Sequence, residues 1–537
     1  MRASLICLLS LAFLSACRGG RGPEHGAAPP ALWDASALVP ADTPYVMANL
    51  TPAPAAVRQK MAAIAQRQLA QATKELAPML VQTQAPWARA LQSILAELRT
   101  QPLDQWWQNS GFADGGRFVL YGLSVWPVVR IEVSRPAAVR DLVQRTLAAA
   151  GQPTEPAQRG RWQTWQLSAE GAALILAVTA TEVVAAALPS ELAPRALPWI
   201  LGEQRAPQSL LEAATLPALA RSYALLPQLL TVIDLRAVLA ILTGTATGVA
   251  AELAPAALSP ALRSKACVTE LGNLVELMPR VVFGYQRFDA QAFAGSMIFE
   301  MPPRVTARLG KLTTAVSGVS WPVLGKPLFA MAAALDMREL GALLAELSDA
   351  VTARPFACPE LTALNEVISQ WHPSSALSVL PPLFAEARGF ELVIEEYTAE
   401  PTSASGHLSL VSRRLDTLPG LLSAVPGLPP LSPVEGTPFD LGLDALGLDW
   451  LRGGHGVIRG DKLVAVVGAD SQSRALEQQR LPTPKTSPLL VMAYDVARMR
   501  ELSEVFASNL LDSSYREAAL ALEVMERGLR MQVMGTW

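Results

Sequence analysis

Charge, lysine, histidine and cysteine are all scarce in this 537-residue chain, and each scarcity excludes something. Charged residues make up 17%, below the roughly 25% usual in globular proteins. Seven lysines stand among 44 basic residues, and 47 acidic residues bring the net charge to −3. No cationic surplus is available to neutralise phosphates, so no nucleic-acid partner is expected. The arginine excess accompanies abundant alanine and proline and reads as coding bias rather than a binding surface. Of the four histidines, at positions 25, 372, 407 and 455, none has a second His, Cys or carboxylate at helical metal spacing. Neither a metal nor a cofactor is therefore expected. A Gly-x-Ser-x-Gly elbow, a Ser-x-x-Lys pair and a phosphate-cradling glycine loop are also missing. Long apolar runs are interrupted: residues 172–188 contain Glu182, and residues 225–242 contain Asp234 and Arg236. What is abundant is apolar residues, 51%, together with 42 prolines and 35 glycines. Such a chain buries a sizeable core without cofactor or staple.

The N-terminus carries an address. Met1-Arg2 is a positive start, residues 5–13 are apolar, and Leu14-Ser15-Ala16-Cys17 follows. Those four residues resemble the lipobox of bacterial lipoproteins at every position. The resemblance implies a signal peptide over residues 1–16 and a Cys17 that carries diacylglycerol on its thiol and an acyl chain such as palmitate on its amine. Two or more chains hold a protein stably on a membrane, at about 0.8 kcal/mol per buried CH₂. Residues 17–31 are rich in Gly and Pro and read as a flexible tether. In enterobacterial lipoproteins an Asp after the acylated cysteine retains the protein at the inner membrane. Arg18 stands there, so the resemblance implies the outer membrane of the cell envelope, on its periplasmic or surface side.

Four cysteines reduce to two once Cys7 leaves with the signal and Cys17 is acylated. The remaining pair, Cys267 and Cys358, each enters a helix after a loop, and an even pair in an exported chain predicts a disulfide. Closing that loop contributes about 4 kcal/mol in the chain-entropy model.

Periodicity predicts a helical region over residues 54–103, then hairpins over 118–133 and 162–180, with a helix opened by Arg135-Pro136 and capped by Gly151 between them. Four landmarks recur at nearly constant offset: residues 44–50 at 327–335, 118–133 at 390–411, Gly151 at Gly427, and 171–180 at 460–469. The expected architecture is α+β: two tandem, related units of antiparallel β-hairpins packed with helices on one face, over residues 32–262 and 263–537. Ala37-Leu-Val-Pro-Ala-Asp-Thr, with the strands at 118–122 and 127–133, is similar to the opening of an uncharacterised group of secreted proteins and lipoproteins common in myxobacteria. That resemblance brings no activity with it.

Two constellations invite a chemical reading. Glu391, Glu395, Glu396 and Glu400 suggest paired carboxylates, yet their alternation with Phe390, Leu392 and Ile394 predicts a solvated strand face. Trp106, Trp107, Trp126, Trp162 and Trp165 suggest a stacking surface, but tryptophan is mostly core. His407 and His455 sit beside glycines and read as turn residues. With no catalytic residue identifiable, the sequence favours an envelope lipoprotein acting as a non-catalytic binding or scaffold module. It is joined to the membrane by its lipid, and its partner is an envelope protein, a wall component or an apolar ligand. An envelope hydrolase with a spatially assembled site is the alternative.

Overall fold

In the computed structural model, described residues begin at 33 and run to 537. They exclude 50, scattered positions between 53 and 84, 170, 256–259, 317–326, 371–379, 400–401, 425, 427–432, 485 and 503–514. The fold is α+β. Residues 1–263 with 279–290 form one unit, and residues 264–278 with 291–537 form the other.

In the first unit, β1 (Tyr45–Asn49) precedes α1 (Pro86–Thr100) and α2 (Leu103–Asn109), each entered through a proline. Strands β2 (Phe118–Leu123) and β3 (Trp126–Glu132) form a hairpin, followed by α3 (Pro136–Ala149). Helix α3 ends where Gly151 takes φ +67°, the left-handed cap that a β-carbon disfavours. Next come β4 (Ala157–Arg159), β5 (Trp162–Ala169), β6 (Ala172–Val178), β7 (Glu182–Pro189) and α4 (Ala193–Leu201). Then follow α5 (Thr215–Ser222), β8 (Leu230–Asp234), α6 (Leu235–Thr243) and, later in the chain, β9 (Arg280–Phe288). All pairings are antiparallel, in the order β9-β8-β1-β2-β3-β7-β6-β5-β4.

The second unit contains α7 (Lys265–Val275), β10 (Ala292–Glu300), α8 (Pro303–Gly310), β11 (Phe329–Ala333), α9 (Met337–Ala353) and α10 (Thr362–Gln370). It continues through the long hairpin β12 (Ala387–Ala399) and β13 (Thr402–Ser412), α11 (Leu418–Ser423), β14 (Phe439–Asp440), β15 (Gly454–Arg459), β16 (Lys462–Val467) and α12 (Ser471–Gln479). The last elements are β17 (Leu490–Asp495), α13 (Val496–Leu502), β18 (Glu517–Met525) and β19 (Gly528–Thr536). Its antiparallel order is β10-β19-β18-β17-β11-β12-β13-β16-β15-β14.

Helices do not keep to one face, contrary to the sequence expectation. In the first unit Leu95, Leu98, Trp106, Trp107 and Leu142 of α1–α3 pack on the sheet face of Phe118 and Val129. Helix α4 instead covers the opposite face, where its Ile200 carbonyl meets Arg130. The reason is the near-continuous apolar run of β2, which exposes neither face and requires cover on both.

Candidate functional site

Polar side chains gather in the two units at one kind of place, beneath the helix that follows a hairpin. In the first unit this is Arg130, which is 0% exposed. Its Nη1 donates to Glu182 Oε2 at 3.1 Å and its Nη2 to the Ile200 carbonyl near the end of α4. Burial opposes the charge, but the Tyr121 and Glu182 oxygens beside it outweigh burial and hold its pKa up. Arg161 also reaches Glu182, at 3.4 Å, and lies over the Trp162 ring.

In the second unit the groups converge on one face of β12, β13, β16 and β15. Cross-strand register places Glu391 opposite Ser409 and Val464, and His407 opposite Val466 and His455. A bulge leaves Glu395 without a cross-strand partner. It depends on Gly406, whose β-carbon would lie 2.1 Å from the Val393 carbonyl oxygen. His407 Nε2 is 3.4 Å from Glu391 Oε2, His407 Nδ1 is 3.7 Å from Glu395 Oε1, and Arg474 of α12 pairs with Glu395. Lys462 Nζ donates to the Gln478 carbonyl at 2.9 Å, in the last turn of α12. Burial pulls the Lys462 pKa down, and Glu391 only partly restores it.

The solvated-face expectation for Glu391 and Glu395 is therefore wrong. Their side chains are 17% and 34% exposed because α12, about 80 residues downstream, closes over that face. The turn readings of His407 and His455 are likewise replaced: both lie within strands. His455 brings a pair that the sequence did not reveal. Its Nδ1 lies 2.9 Å from Ser471 Oγ at the start of α12, where Asp470 adopts φ +54°. A serine hydroxyl beside an imidazole is the first element of nucleophilic catalysis.

Cys267 and Cys358 are bonded, with Cα atoms 4.5 Å apart. The Glu270 carboxylate accepts the N–H groups of Ala357 and Cys358, each at 2.9 Å, tying α7 to the segment between α9 and α10. The resulting lobe has a small core: the two cysteines and Leu361, with Leu271 and Phe356 packed against them. Helix α9 buries none of its residues, while Leu274, Leu277, Leu347, Leu364 and Val367 are all exposed. The first-half tryptophans, by contrast, are structural. Trp106, Trp107, Trp162 and Trp165 are buried, and the indoles of Trp107, Trp126, Trp162 and Trp165 donate to backbone carbonyls.

Cys17 and His25, and the stretch holding His372, lie outside the described residues. Among the described residues no three His, Cys, Asp or Glu side chains are gathered to hold a metal ion, and no helix is long and apolar enough to cross a membrane. Comparison with protein-family models, curated proteins and solved structures finds no match to the chain.

Proposed function

We propose that the chain is an envelope lipoprotein, anchored at the outer membrane through Cys17, that acts as a binding or scaffold module for an envelope protein, a wall component or an apolar ligand. The observation that carries this reading is the disulfide-tied lobe. Its bond belongs to oxidising compartments, and its three helices and their flanks expose five large apolar side chains, Leu274, Leu277, Leu347, Leu364 and Val367. Anchoring is tested by Cys17→Ser, which should release the chain from the membrane fraction or leave it unprocessed. A variant that is processed and partitions like the parent overturns the lipid anchor. Binding is tested by crosslinking in intact envelopes, and a parent chain that captures nothing there overturns the module.

The same reading takes the two units to be related by duplication. Supporting it, β2-β3-β7-β6 and β12-β13-β16-β15 follow the same order, β1 and β11 sit alike against β8 and β17, and the helices after β7 and β16 each cover a buried cation with their last turn, from β3 in one unit and β16 in the other. In this alignment β7 answers to β16, so the landmark pairing of residues 171–180 with 460–469 is displaced by one strand. Superposition of the two hairpin sets in an experimental structure tests the relation.

One observation favours a hydrolase instead: the Ser471–His455 pair, with Asp440 cross-strand from His455. Turnover of ester substrates that is lost on Ser471→Ala would establish that reading. Turnover that survives the substitution, or none, would remove it.

A further inference from the structure

Helices α7, α9 and α10 share an excess of negative charge as well as exposed apolar groups. Residues 265–278 and 337–370 hold seven acidic and three basic residues, and Arg308 of α8, which pairs with Glu339 and Glu346, still leaves a net −3 there, as large as that of the whole chain. Asp349, Glu360 and Glu366 are exposed on the same helices and connecting turn that expose Leu347, Leu364 and Val367. Helix α9 packs against α10, so each presents ridges at helical spacing, and Leu364 and Val367 follow one another at i, i+3. An anionic membrane surface is repelled by such a lobe, and a second copy would set like charge against like. A helix with one apolar face and a cationic border satisfies both features at once.

We infer that the lobe of α7, α9 and α10 is a docking surface for a cationic amphipathic helix of a partner protein. The inference rests on the binding-module reading and names its partner class. Apolar contact with Leu364 and Val367 supplies affinity, while the carboxylates supply encounter rate and choice of partner.

Two synthetic helical peptides with the same leucine face, one bearing Lys and one Glu on the polar face, separate the effects. They are titrated by fluorescence anisotropy against the full chain carrying Cys17→Ser. The Lys peptide should bind in the micromolar range, weaken as salt rises, and exceed the Glu peptide by at least about tenfold. Leu364→Glu with Val367→Glu should weaken it at least about tenfold at unchanged circular dichroism. Asp349→Lys with Glu366→Lys should weaken it while leaving the apolar face intact. Equal binding of both peptides, indifference to both double variants, or concentration-dependent dimerisation through the lobe overturns the inference. A partner crosslinked in envelopes and retained by Leu364→Glu/Val367→Glu overturns the lobe as its site, yet leaves the module reading standing.

Discussion

The helix after β7 covers a guanidinium, whereas the helix after β16 covers an ammonium and an imidazole. Arg130 and Lys462 each donate to a carbonyl in the last turn of that helix, so each offsets the negative end of a helix dipole. The chemistry then diverges. Arg130 cannot shed its proton and is held by Glu182, 8% exposed, in a pair that is fully internal. Lys462 is drawn the other way by burial, and its neighbour Glu391 faces His407 as well as the lysine. The first unit thus holds a fixed ion pair beneath its helix, and the second a lysine whose charge burial disfavours, each on a different strand of the shared order.

The comparison is tested hardest by Arg130→Met. Removing one partner of a buried pair strands Glu182, leaving it the exposed Arg161 alone, and should cost about 3–5 kcal/mol. Denaturant unfolding of the intact chain reads the loss; a change below about 1 kcal/mol would mean that the pair contributes nothing specific. Next in size is the disulfide, whose 91-residue separation gives Cys267→Ala/Cys358→Ala an expected cost of about 2–4 kcal/mol. Hydrogen exchange should localise that loss to α7, α9 and α10, with the first-unit sheet unchanged; loss in both units alike would refute separate stabilisation.

Asp336 supplies a smaller and pH-dependent difference. It caps α9 by accepting from the Arg338 and Glu339 N–H groups, and its two oxygens receive the Arg413 fork. Burial pushes its pKa up, but Arg413 and the two N–H groups prevail and hold it below the ordinary carboxylate value. A depressed folded pKa contributes stability that is complete above the unfolded value near 4 and is lost as pH falls through the folded one. Asp336→Ala should cost about 2 kcal/mol at pH 7 through the lost cap and pair. The cost should shrink below about pH 4, so parent and variant converge in acid. A constant difference between pH 7 and pH 3 would exclude this linkage.

The elements were more legible than the site. Pro136, Gly151 and Gly171 mark a helix start, a helix end and a hairpin turn because backbone chemistry is local. The Cys267–Cys358 pair followed from counting cysteines in a chain whose N-terminus reads as an export signal. Arg130 gave no signal, since a cation inside an apolar strand looks the same whether it meets solvent or a carboxylate from β7. Glu391 and Glu395 misled for a related reason: alternation specifies two faces, while a helix distant in sequence decides which face stays wet. Glycines beside His407 and His455 suggested turns, although Gly406 and Gly456 serve close packing within strands, Gly456 against the Phe439 ring.

Lys462 separates the two units by the smallest effect. Its folded pKa lies below the unfolded value of about 10.4 because burial penalises the ammonium. Between those two values the unfolded chain binds more protons than the folded one, so stability from this group rises with pH across that window. At neutral pH the buried charge is a cost, partly offset by the Gln478 carbonyl and Glu391. Lys462→Met keeps the unbranched apolar stem and removes the ammonium, so it should leave stability unchanged or raise it by up to about 1 kcal/mol. The contrast with Arg130→Met is then one of kind: methionine is tolerated where the cation can be discharged and not where it is locked to a carboxylate. Denaturant midpoints at pH 7 and pH 10 measure this, with the parent gaining on the variant as pH rises. A loss of 3 kcal/mol or more for Lys462→Met, on the order expected when a buried pair is broken, would show that the second cluster is as fixed as the first.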